Sequence, residues 1–256
     1  MNGDTEMQMP QNGGSNKQFT VPLAIIAAGA LIAGAIYFTS GSTGSSPAAA
    51  NQAGSETEIE IRPITTEDHI LGNPDADIVI VEYSDTECPF CKDFHNTMHQ
   101  IIDIYGRSGE VAWVYRHFPI PQLHSKAPKQ AEATECAAEL GGNTAFWTYI
   151  DRVFEITPSN NGLDMALLPQ IAEDIGLDRT QFEQCLNSGR HAQTIQADFE
   201  DALSGGGQGT PHNVIIFGDE LIPMPGAQPL ATLKTAIDTL LSQANGPEGT
   251  QALPTL

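Results

Sequence analysis

Positive charge is scarce in this chain: 11 Lys and Arg stand against 32 Asp and Glu, for a formal net charge of −21. A nucleic-acid backbone would be repelled by such a surface, so binding through neutralised phosphates is excluded as a function. Cysteine is also sparse, with four in 256 residues, too few for a fold built on disulfides. Aromatic residues make up 7% and apolar residues 40%, while Gly (24) and Pro (17) are well represented. Part of the chain is therefore linker rather than core. No internal repeat is visible.

The one long apolar run lies near the start. Residues 19–38, FTVPLAIIAAGALIAGAIYF, carry no charge and as a helix would span roughly 30 Å, the thickness of a bilayer core. A transmembrane anchor is expected there, since a cleaved secretory signal, the alternative, would have a shorter apolar stretch. Lys17 lies just before the run and the next basic residue after it is Arg62. The positive-inside bias thus predicts a short cytoplasmic N-terminus over 1–18 and everything downstream outside the cytoplasm. Residues 39–65 begin with Ser, Gly and Ala and read as a flexible tether. Residues 244–256 read as a tail without periodicity.

Between these, residues 66–243 have the pattern of one globular domain. Ile78-Val79-Ile80-Val81-Glu82-Tyr83 is a nearly continuous apolar run, as in a strand buried on both faces, with Glu82 as its exception. Apolar positions at helical spacing follow Cys88-Pro89-Phe90-Cys91, and Val111–Arg116 reads as a second strand. Strand, helix and strand imply a parallel βαβ unit. A helical insertion over about 125–204 follows, punctuated by Gly141-Gly142, Gly162, Gly176 and Gly189. A hairpin around Gly218-Asp219 and an amphipathic helix from about Gln228 to Leu241 complete an α/β fold.

A Cys-x-x-Cys pair serves either metal ligation or thiol redox chemistry. Pro89 fits the first turn of a helix, which places Cys88 at the N-terminus. There the free backbone N–H groups and the helix dipole favour a thiolate. A second thiol one turn on is within disulfide reach. Cys88 is expected to be the exposed, attacking partner and Cys91 the buried one. Zinc held by Cys88, Cys91, His95 and His99 is disfavoured, because one straight helix cannot easily surround an ion. No metal is expected. His95 and His99 read as partly exposed, and most of the 30 acids beyond residue 55 as solvated surface.

Taken together, the strings DTECPFCKDFH, YRHFPI and GTPHNVIIFG, in this order around a helical insertion, resemble the DsbA family of thioredoxin-fold thiol–disulfide oxidoreductases. The resemblance implies a thioredoxin fold with an inserted helical subdomain, preceded by the N-terminal transmembrane helix. It implies no cofactor beyond a redox-active Cys88–Cys91 disulfide. Glu82 matches the buried acid that moves the proton of the second thiol. Pro211 matches a cis-proline loop that faces the cysteines and offers backbone groups to a substrate, and Thr210 would contact and tune Cys88. Phe90 stands where many members have His. Phe donates neither hydrogen bond nor charge to the thiolate, so a milder oxidant is expected. Cys136 and Cys185 are expected to form a structural disulfide, as in some relatives. The implied partners are reduced or unfolded exported proteins and a membrane reoxidant resembling DsbB or the vitamin K epoxide reductase family. The implied place is the outer face of the cell membrane, or secretion if the helix is cleaved. A disulfide reductase or isomerase, or a non-catalytic peptide-binding module, are the alternatives.

Overall fold

A computed structural model describes residues 59–244. The expected transmembrane run and the tail from residue 245 onward lie outside them. Among the described residues no helix is long and apolar enough to cross a membrane.

Five strands form one sheet: β1 (His69–Gly72), β2 (Ile78–Ser84), β3 (Val111–His117), β4 (His212–Phe217) and β5 (Glu220–Pro225), in the order β1-β3-β2-β4-β5. The β2–β3 pair is parallel and the other three pairs are antiparallel. The helix α1 (Pro89–Ile101) makes the crossover between β2 and β3, ending in a single π-helical turn at Ile102–Gly106. β1 is an addition to the sequence reading. Its four residues are too few and too close to the Gly72-Asn73-Pro74 turn to show a period.

The alternation of a strand explains the two faces. Ile78, Ile80 and Glu82 point one way, with Val111, Trp113 and Tyr115 of β3, toward α1 and the closing helix α6 (Leu230–Ala244). Val81, Tyr83 and Val114 point the other way. Ile59, Ile61 and Ile64 pack on that second face, and Arg62 bonds to Asp198 and Asp201. The end of the segment read as a tether, residues 59–65, is therefore part of the folded domain.

The insertion consists of α2 (Ala127–Ile156), α3 (Leu168–Asp174), α4 (Arg179–Ser188) and α5 (Ala192–Ser204). α2 breaks into two rods at Gly142, whose φ of 70° and ψ of −169° suit glycine and end the helical hydrogen bonding. Its second rod returns Phe146, Trp147, Ile150 and Phe154 to the α1 side of the sheet. A separate core forms from Ala133, Tyr149, Leu168, Ile171 and Phe182. The Cys136–Cys185 disulfide joins α2 to α4 inside that core. Closing its loop of 49 residues contributes about 4 kcal/mol in the chain-entropy treatment.

Candidate active site

Cys88 is the N-cap of α1 with extended backbone, and Pro89 occupies the first turn, where a missing N–H costs nothing. The pair is present as two thiols. Expected to be exposed, Cys88 instead retains only 4% of its surface, against 0% for Cys91. The burial follows from the loop before β4: the Thr210–Pro211 peptide is cis, and the Cys88 thiol donates to the Thr210 carbonyl at 3.4 Å. Pro211 has no N–H, and its carbonyl accepts from Gly226 at 2.9 Å. A cleft of about 410 Å³ runs along Gly206, Gln208, Thr210, Pro211 and Pro225. Phe90, 64% exposed, is the large apolar side chain next to the pair.

The two thiols are driven apart in acidity. A hydrogen bond from the Cys91 side chain lowers the Cys88 pKa to about 6, against the opposing effect of burial, with help from the Thr210 side chain and the N–H groups of Cys91 and Phe90. Cys91 moves the other way. Burial raises it, and so does negative charge on Cys88 and Glu82. The N–H of Asp85 points at its sulfur from 3.4 Å.

Glu82 is fully buried on the α1 face of β2, and burial pushes its carboxyl up to about 8. Neither oxygen has a hydrogen-bond partner of good geometry, although Ser84 and Trp113 are close enough to temper the shift. A carboxyl with that pKa exchanges protons near neutrality. Buried on a strand interior, it is not the solvated edge residue that its charge alone suggests.

Several residues of the site escaped the sequence reading. Asp85 is buried and accepts from the N–H groups of Glu87 and Ile120, each at 2.8 Å, and pairs with His124 Nδ1 at 3.0 Å. Glu87 accepts from Gln130 and from the Gly162 N–H, while its carbonyl accepts from the Asn160 N–H. These bonds fasten the active-site loop to both ends of α2. Ser159, Asn160 and Asn161 hold positive φ in succession to reach it. The only sequence signal was the density of acids before Cys88, which also fits a solvated loop. Glu135, buried as well, accepts from His69 and His117, both at 2.9 Å, so the acids of this domain are less of a surface property than expected.

The lowered Cys88 pKa gives a direct expectation. Alkylation of the reduced protein at Cys88 should rise with a midpoint near pH 6 and level off by neutrality, whereas in the unfolded chain the midpoint should lie at the ordinary thiol value of about 8.5. Because the folded value is the lower one, the thiolate stabilises the reduced fold fully above the unfolded pKa. That contribution is lost as pH falls through about 6. Iodoacetamide rates against pH measure it, and a midpoint above 8 would contradict it.

A thioredoxin family model matches residues 65–239, most of the chain. Among solved structures, DsbA2 of Pseudomonas aeruginosa superposes with a TM-score of 0.60 at 29% identity, covering 72% of this chain and all of that one. α-DsbA1 of Wolbachia pipientis gives 0.61 at 26%, covering 71% and 94%. The chain belongs to the thioredoxin family, with the DsbA proteins. A further similarity, 33% identity over 145 residues, is to the Na(+)/H(+) antiporter NhaA 1 of Mycolicibacterium gilvum, covering 56% of this chain. The chain spans about a fifth of the length of the curated relatives it matches, 22% in that case.

Proposed function

We propose that this DsbA-family protein-disulfide oxidoreductase introduces disulfides into exported proteins through Cys88-Pro89-Phe90-Cys91. The observation that carries the reading is the asymmetry of the pair: one thiol made acidic at a helix N-terminus, the other buried beside a carboxyl poised near neutrality. In the oxidised protein a client thiolate attacks the Cys88 sulfur, the bond to Cys91 breaks, and the electron pair leaves on Cys91. Glu82, protonated in part near neutrality, supplies the proton that the buried Cys91 sulfur requires. A second client thiolate then attacks the client sulfur of the mixed disulfide, and Cys88 departs as a stable thiolate. The client gives up two electrons, which the reduced pair holds as the Cys88 thiolate and the Cys91 thiol; the protons released when the client thiols ionise go to solvent, from which Glu82 regains the one it gave to Cys91. A membrane oxidase resembling DsbB or the vitamin K epoxide reductase family would take them up.

Placement outside the cytoplasm is supported by the uncharged run over 19–38 and by the Cys136–Cys185 disulfide, a bond that persists in oxidising compartments. The run would hold the domain at the outer face of the cell membrane. The Phe90 side chain, without a hydrogen-bond donor, favours a milder oxidant than a histidine there would give. It keeps reductase or isomerase chemistry as the second reading.

The reduction potential of the Cys88–Cys91 couple separates these. Equilibration with defined thiol–disulfide buffers should give about −120 to −200 mV, the range of oxidases and isomerases. A value near about −270 mV would mark a reductase and overturn the proposed direction. Catalysed oxidation of a reduced client, measured beside it, distinguishes the oxidase from an isomerase.

A further inference from the structure

The face of α1 that carries Cys91 continues through His95 and His99, one turn and two turns farther on. His95 Nε2 lies 2.7 Å and His99 Nε2 2.8 Å from the same oxygen, Oδ1 of Asp151 on the second rod of α2, and the two nitrogens are 3.2 Å apart. Two imidazoles and a carboxylate thus converge on one point. Protons on both nitrogens serve the carboxylate but set two donors against each other across 3.2 Å. A single cation among the three would instead take a lone pair from each.

We propose that His95, His99 and Asp151 form a binding site for a divalent transition-metal ion, with zinc as a fitting occupant. Ligands about 2.0–2.1 Å from zinc at tetrahedral angles lie roughly 3.3 Å from one another. The nitrogens already have nearly that spacing. Asp151 is half exposed and has room to withdraw by the half ångström that its oxygen requires. The site opens onto a cleft of about 650 Å³ lined by Lys92, Asn96, Thr148, Arg152 and Glu155, which leaves a fourth position to water. The cationic neighbours do not compete for the ligands: Lys92 bonds to the Glu155 and Thr157 carbonyls, and Arg152 to Glu155.

The donor set, nitrogen and oxygen without thiolate, selects a borderline divalent ion over Cu(I). His95 Nδ1 is buried without a hydrogen-bond partner, so this imidazole lacks the outer-shell support that raises affinity at structural zinc sites. Binding should therefore be weaker than at such sites. The ion would join the catalytic helix to the inserted subdomain, because α1 supplies two ligands and α2 the third. This departs from the expectation of no metal, which had considered the two histidines only together with Cys88 and Cys91. Asp151, 52 residues beyond His99, gave no local motif to find. Among the described residues, the other grouping of ligand types, Cys136, Cys185 and His191, has both sulfurs in a disulfide.

The test uses the full chain with Cys88 and Cys91 oxidised, so that their thiolates cannot bind metal. Zinc titration should show one ion per chain and a raised melting temperature, and cobalt should give the strong visible absorption of a tetrahedral site. His99→Gln and Asp151→Asn, both partly exposed, should each weaken zinc binding at least about tenfold. Their melting temperatures without metal serve as the check that they fold. Absence of binding, binding unchanged by either variant, or binding that needs reduced thiols would each overturn the proposal.

Discussion

Cys88→Ser is expected to reduce catalysed disulfide formation to the uncatalysed rate, while Cys91→Ser should trap clients covalently on Cys88. The first variant has no disulfide to hand on and no thiolate at the helix N-terminus, and a serine hydroxyl replaces neither. In the second variant the serine hydroxyl can donate in place of the Cys91 thiol, and the Thr210 side chain and the N–H groups of residues 90 and 91 remain, so Cys88 keeps more thiolate at neutral pH than the few per cent of an ordinary thiol. It attacks a client disulfide readily but has no partner to release the product. Reduced client should remain unoxidised with the first variant in a refolding assay. With the second, mixed disulfides should appear on non-reducing gels. A Cys88→Ser protein that still oxidised its client would defeat the assignment of Cys88.

Arg116→Ala should be the most destabilising single substitution away from the cysteines. Arg116 is fully buried on the face of the sheet opposite α1. It donates to Asp68 Oδ1 at 2.8 Å, to Asp201 Oδ2 at 2.7 Å and to the carbonyls of Arg62 and Pro63. Asp201 also accepts from the Tyr83 hydroxyl at 2.6 Å and from the Arg62 N–H at 2.6 Å. Removing the guanidinium leaves two buried carboxylates without their main counter-charge and frees the segment 59–65 that it holds. Breaking a buried pair in this way costs about 3–5 kcal/mol, roughly 10 °C in melting temperature for a domain of this size. Arg116→Met, which also lacks the charge, should be nearly as harmful, since Asp201 stays behind. Thermal melts of the two variants decide it. A loss below about 1 kcal/mol would mean that water replaces the arginine.

Local features were legible in the chain. β2, α1 and β3 follow from continuous apolar runs around a helical period, and the position of Cys88 at a helix start follows from Pro89. The insertion could be placed by its glycines. These are decided within a dozen residues, by steric preference and by the period of the backbone.

Partners distant in sequence were not legible. His95 read as a partly exposed helix residue and is buried against Trp113 and Phe154; His117 and His124 had no visible partner and meet Glu135 and Asp85. The acidic surplus looked like solvated surface. In the fold, however, Glu82, Asp85, Glu87, Glu135, Asp198 and Asp201 are all buried, and most are satisfied by groups far along the chain. Composition records how many carboxylates there are, but their solvation depends on which strand face or helix end covers them. The amino-acid order by itself determined the place of Cys88 and Cys91 at a helix start and the elements that carry them. Only the tertiary structure decided the environment of each charge, because burial and hydrogen bonding are properties of segments brought together from opposite ends of the domain.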